Sequence, residues 1–190
     1  MQEAFKHYLN EIETIENVET FEIDVYDSSK LIEDIFLNLD EINKLFEYKF
    51  NFKLFIPPVA AQTMLNRAIG GKEIRFTDFV ATIGSIIDSI DYKEINKLSS
   101  SSAQINGSIN KILSLLKEEN INYDVKTIET LRALYNLRNT TFPIHEAGSK
   151  NIKYLQKVNI DYPIEDYKDA PAKMLQSLNS CLLEMKLWFK

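Results

Sequence analysis

The segment Leu131-Arg132-Ala133-Leu134-Tyr135-Asn136-Leu137-Arg138-Asn139-Thr140-Thr141-Phe142-Pro143-Ile144-His145-Glu146 changes character half-way along. Its first half continues a helical pattern in which Val125, Ile128, Leu131, Leu134, Tyr135 and Arg138 fall on one face. Asp124 stands where a helix N-cap would. Pro143 disfavours helical geometry at Phe142, so the helix is expected to end near Thr140 or Thr141. Arg138 and Asn139 then occupy the last turn, with His145 just beyond it. A cation, an amide and an imidazole are gathered where a helix stops.

Outward from this segment the same periodicity recurs. Gln2–Glu16 carries a stripe of Phe5, Leu9, Ile12 and Ile15, and His7 within it reads as a surface residue with no ligand-spaced partner. A second helix follows Asp27-Ser28 to about Tyr48, with Leu31, Ile32, Ile35, Phe36, Leu39, Ile42, Leu45 and Phe46 buried. The aromatic run Phe50 to Ile56 reads as a connector burying its odd side chains, with an exposed partner patch as the alternative. Pro58 is placed to start a helix through Val59, Met64, Leu65 and Ile69, stopped by Gly70-Gly71. Thr77 or Asp78 opens another, with Phe79, Val80, Ile83, Ile86, Ile87 and Ile90 buried, continuing through Ile95 to Leu98. Ile105, Ile109, Ile112, Leu113 and Leu116 mark a helix ending around Asn120. Glu146–Ala170 reads as a long connection anchored by Ile152, Tyr154 and Leu155. Asp169 and Pro171 open a last helix whose stripe runs Met174, Leu175, Leu178, Cys181, Leu182, Met185, Trp188 and Phe189. The expectation is an all-α helical bundle of six or seven helices.

Composition agrees. The chain has 190 residues, 45% hydrophobic and 26% charged, with only five Gly and five Pro. A single cysteine, Cys181, excludes an internal disulfide framework and reads as core. Without a charged-then-apolar leader or an apolar run long enough to span a bilayer, the expectation is a cytoplasmic protein that engages no membrane. The net charge of −6 weighs against nucleic acid, but it is unevenly spread. Residues 1–50 hold 13 acids against 4 lysines. Residues 126–157 hold Lys126, Arg132, Arg138, Lys150, Lys153 and Lys157 against Glu129 and Glu146. The site-like segment lies in the most basic part of the chain.

Two dispersed histidines and one cysteine do not make a zinc site, and no Glu-x-x-His pair, P-loop or Gly-x-Ser-x-Gly elbow occurs. Neither a metal nor a cofactor is expected. Arg138, Asn139 and His145 remain. An imidazole exchanges protons at neutral pH, and a guanidinium suits the charge that grows on a phosphoryl group. An amide can orient either. Such a set could act on the 2′-hydroxyl of RNA. The competing structural account has Arg138 bonding the last carbonyls of its helix while His145 decorates a loop.

Arg138-Asn139-Thr140-Thr141-Phe142-Pro143-Ile144-His145 resembles the signature of the HEPN superfamily, an Arg, a polar residue, and a His after four to six intervening positions. Here six intervene, at the long end of the pattern. Members of that superfamily are all-helical, and many are metal-independent endoribonucleases acting as toxins, in antiviral defence or in RNA processing. The resemblance covers the motif and the helical plan from Thr77 to Lys190. It implies an HEPN-like bundle over 76–190 and leaves 1–75 as an N-terminal helical extension on the same core. It further implies Arg138 and His145 as catalytic with Asn139 supporting, RNA as substrate, and a homodimer with a composite active site. Arg132, Lys150 and Lys153 are expected as RNA contacts from charge and proximity. Two other functions remain open: a non-enzymatic helical module binding a nucleotide or protein, and an antitoxin or immunity-type protein whose acidity neutralises a basic partner.

Overall fold

Apolar residues spaced three and four apart generate helices that can bury one face only against one another, and the computed structural model is their assembly. It describes residues 28–69, 76–99, 101, 104–138, 149–164, 167 and 169–190. The helix expected over 2–16, His7, the cap at Asp27 and the Gly70-Gly71 stop lie outside the described residues. Among the described residues there are eight helices and no strand. They are α1 (28–50), α2 (Ala61–Ile69), α3 (Phe76–Asp88), α4 (Tyr92–Leu98), α5 (Ser108–Glu118), α6 (Val125–Leu137), α7 (Ser149–Lys157) and α8 (Asp169–Trp188). The protein is an all-α helical bundle. No described helix is long and apolar enough to cross a membrane.

The stripes read from sequence form its core. Ile32, Ile35, Leu39, Ile42 and Phe46 of α1 are at most 2% exposed, and burying each such side chain contributes ~1.5–3 kcal/mol. α1 lies parallel to α8. Asn38 Nδ2 donates to Asn179 Oδ1 at 2.7 Å, Lys186 Nζ reaches Asn38 Oδ1 at 3.0 Å and also pairs with Glu41, and the Phe46 and Phe189 rings meet edge to face at 5.1 Å. Residues from 32 to 69 and from 76 to 189 contribute to one continuous apolar core. α6 is central, packed against α3, α5, α7 and α8. Its burial is therefore two-sided, taking in Ala133 and Leu137 as well as Ile128, Leu131 and Leu134. Val125, expected on the buried stripe, is instead 60% exposed at the first turn.

Three further expectations are corrected. The helix expected to run from Thr77 to Leu98 is broken at Ser89–Asp91. Asp91 Oδ1 accepts the backbone N–H groups of Lys93 and Glu94, each at 3.2 Å, and so starts α4 afresh. At the break, Ile90 pairs with Phe55 as an isolated antiparallel bridge, with Ile56 N donating to Ser89 O at 2.9 Å and Asp91 N to Leu54 O at 2.8 Å. Phe55 turns its own backbone groups the other way. Its N–H donates to Asn43 Oδ1 at 2.8 Å and its C=O accepts from Asn43 Nδ2 at 2.9 Å. The aromatic run is thus pinned as a connector: Leu54 and Phe55 are buried, Phe50 and Phe52 pack on Phe46, and of its apolar side chains only Ile56 faces outward. Second, the helix expected from Pro58 begins at Ala61, leaving Val59 fully exposed. Third, the stretch taken as a connection over 146–170 contains α7, whose Leu155, with Val158 just after the helix, is buried. That is apolar spacing too short to stand out from the loop residues around it.

Candidate functional site

α6 begins as its sequence indicates. Asp124 Oδ2 accepts from Thr127 N at 2.7 Å and from Thr127 Oγ1 at 2.8 Å. These two bonds, the side-chain one first, hold the Asp124 carboxyl below its ordinary range. At the other end the helix stops at Leu137, before the expected Thr140 or Thr141. Arg138 is its C-cap and keeps right-handed helical angles, φ −57° and ψ −27°. Asn139 and His145 lie outside the described residues.

The Arg138 guanidinium does not turn back onto the carbonyls of α6. It crosses to α3, where Nη1 donates to Asp88 Oδ2 at 3.1 Å, and Nη2 donates to the Tyr135 hydroxyl one turn earlier on α6. The guanidinium carbon lies 4.0 Å from the centre of the Tyr135 ring, a cation–π contact. Asp88 is itself held, because Ser108 Oγ of α5 donates to its other oxygen at 3.2 Å. Gly84, one turn before Asp88, lets the aliphatic part of Arg138 lie against α3. A Cβ at that position would sit 2.9 Å from Arg138 Cδ and 3.0 Å from Arg138 Cβ. The Arg138 side chain remains 30% exposed and that of Asp88 44%. Of the five guanidinium N–H groups, two have acceptors among the described residues, and the other three can still serve a ligand.

Arg132 and Lys157 are engaged away from this guanidinium. Arg132 is exposed, and its Nη2 donates to Asn110 Oδ1 in the first turn of α5 at 2.7 Å. It stands six positions before Arg138, so the two point ~120° apart around the axis of α6. Both nevertheless reach the start of α5, Arg132 through Asn110 and Arg138 through Asp88 and Ser108. Lys153 is exposed on α7; Lys150 belongs to the first turn of α7, where only the backbone is described. Lys157 is taken up by Glu129, and its hydrogen bond and charge hold the Glu129 carboxyl below its ordinary range.

A polar groove of about 630 Å³ runs between α6 and α8, past the end of α7, lined by Thr127, Lys157, Ser177 and Cys181 among others. Arg138 is not part of its wall. The Cys181 thiol donates to Thr127 O at 3.7 Å, and burial pushes its pKa up to about 12. At that pKa the thiol is not a nucleophile at neutral pH. Asp88, Gly84 and Ser108 are what sequence reasoning missed around Arg138, while Tyr135 was placed on the same face of α6. A glycine inside the apolar pattern of α3 was the available signal, since a mid-helix glycine costs stability unless something must come close. Its partner lies 54 positions away in sequence, and nothing local identifies it.

Comparison with protein-family models, with curated proteins and with solved structures finds no match to this chain.

Proposed function

We propose that this chain is a metal-independent endoribonuclease of the HEPN kind, with Arg138 and His145 as its reacting pair. The observation that carries the proposal is the state of Arg138. Its guanidinium is held at a helix end by two acceptors and an aromatic face, partly exposed, and three of its N–H donors have no acceptor among the described residues. Two parallel N–H groups match the non-bridging oxygens of a phosphodiester. In the proposed reaction the His145 imidazole takes the proton of the ribose 2′-hydroxyl, and the 2′-oxygen attacks the adjacent phosphorus. The bond to the 5′-oxygen breaks, that oxygen leaves as a hydroxyl after protonation, and the products are a 2′,3′-cyclic phosphate and a 5′-hydroxyl end. Arg138 stabilises the charge on the phosphoryl oxygens, and Asn139 orients one of the partners. Arg132, Lys150 and Lys153 would meet flanking phosphates. A symmetric homodimer bringing two such sets together, in a prokaryotic toxin–antitoxin or anti-phage setting, belongs to the same proposal.

One observation favours a second function. An Arg–Asp pair spanning α3 and α6 is also what an inter-helix tie looks like, and on that account the chain is a non-enzymatic binding module or an acidic antitoxin-type partner. Cleavage of an end-labelled structured RNA in EDTA separates the two. Wild type should cut and leave cyclic phosphate ends, and Arg138→Ala and His145→Ala should each abolish cutting. A folded wild type that leaves the RNA intact across a panel of structured substrates, or variants that cut as well as wild type, would refute the ribonuclease.

A further inference from the structure

We infer that Asp88 is a positioning residue for Arg138 and that Gly84 is the seat which lets it act; this rests on the ribonuclease proposal above. Gly84 and Asp88 are four residues apart on α3, so they share one helix face. Arg138 lies along that face. Its methylenes occupy the space a side chain at 84 would need, and its guanidinium is thereby delivered to the carboxylate at 88. The carboxylate does not swing freely, because Ser108 of α5 holds its second oxygen. The Tyr135 ring closes the third side and its hydroxyl takes a further N–H. An arginine on a flexible stem is in this way fixed by groups from three helices, and the donors that remain are presented in a set direction.

The ion pair itself contributes little to holding the bundle together, since both partners touch water and an exposed pair is heavily screened. What it does supply is geometry. Catalysis by a guanidinium depends on meeting the phosphoryl oxygens where charge develops, and a misplacement of about 1 Å can cost on the order of a hundredfold in rate. The opposite role is equally definite: an Asp88 that competes with phosphate for the same guanidinium would be a brake. The two make opposite predictions. Removing a positioning residue lowers kcat and leaves KM little changed, whereas removing a competitor lowers KM and spares kcat.

The test uses the full chain as wild type, Asp88→Ala and Asp88→Asn, with two readouts. RNA cleavage gives kcat and KM. The ¹⁵N relaxation of the Arg138 Nε–H signal, assigned by its loss in Arg138→Lys, reports the order of the side chain whether or not the protein is a nuclease. Asp88→Ala should make Arg138 mobile and lower kcat about ten- to a hundredfold, with KM within about threefold of wild type. Asp88→Asn keeps an oxygen acceptor and should recover most of the order and part of the rate. An Arg138 that stays rigid in Asp88→Ala, or a variant with lower KM and undiminished kcat, overturns the assignment. If wild type cuts no RNA the nuclease proposal fails, and the relaxation readout alone still decides whether Asp88 positions Arg138.

Discussion

Gly84→Ala puts the packing around Arg138 to a direct thermodynamic test. In a helix interior alanine is favoured over glycine by ~1 kcal/mol, so at an open position this substitution should stabilise the protein. Position 84 is not open. The new methyl carbon would stand 2.9 Å from Arg138 Cδ and 3.0 Å from Arg138 Cβ, well inside ordinary carbon–carbon contact. Arg138 Cδ can move with its side chain, but Arg138 Cβ is fixed to the backbone of α6, so relief requires α3 and α6 to part as well. Overpacking of this kind costs ~1–3 kcal/mol. Set against the propensity gain, the net destabilisation is roughly 0–2 kcal/mol, and in a chain of this size the melting temperature falls by at most about 8 °C. Urea and thermal unfolding followed by circular dichroism give the number. Loss of order at the Arg138 Nε–H signal should accompany it, because the displaced side chain no longer reaches Asp88. A stabilisation of about 1 kcal/mol, the full propensity gain, would refute the close approach of Arg138 to α3.

Asn43→Ala strips the buried Phe55 backbone of both its partners, and two unsatisfied buried groups should cost roughly 2–5 kcal/mol in urea unfolding; a loss below about 0.5 kcal/mol would show that the connector finds other partners. Asp124, whose carboxyl is held below its ordinary range, contributes stability that is present above about pH 4 and is lost as pH falls through its lowered folded pKa. Asp124→Asn, which can still cap α6, should therefore flatten the acid side of the melting temperature against pH, and an unchanged slope would sink that account. Cys181, with its pKa pushed up to about 12, should resist an aromatic disulfide reagent at pH 8 in the native protein and react once unfolded. Stoichiometric labelling of the native protein within seconds would contradict the buried thiol.

What the sequence determines by itself here is local and periodic. The stripes of α1, α3, α5, α6 and α8 are read within single windows of about 11–18 residues, because a helix buries whatever recurs at its own period. The all-α class, the Asp124 cap and the burial of Cys181 follow from the same local information. Tertiary structure decides wherever a distant backbone or side chain outbids local preference. The chain from Thr77 to Leu98 has the pattern of one helix, yet Phe55 takes Ile90 into a bridge and Asp91 starts a new one. α6 shows a single stripe in sequence but is buried on two sides, because it is the helix that four others surround. Arg138 was legible as a cation at a helix end, while Asp88, 50 positions earlier, was not legible as its partner. A sequence window records which residues share a face, and only the crossing of α3 and α6 determines which faces meet. Gly84 carries both kinds of information. Its misfit to the helix is visible locally, and its reason lies in the side chain that another helix lays across it.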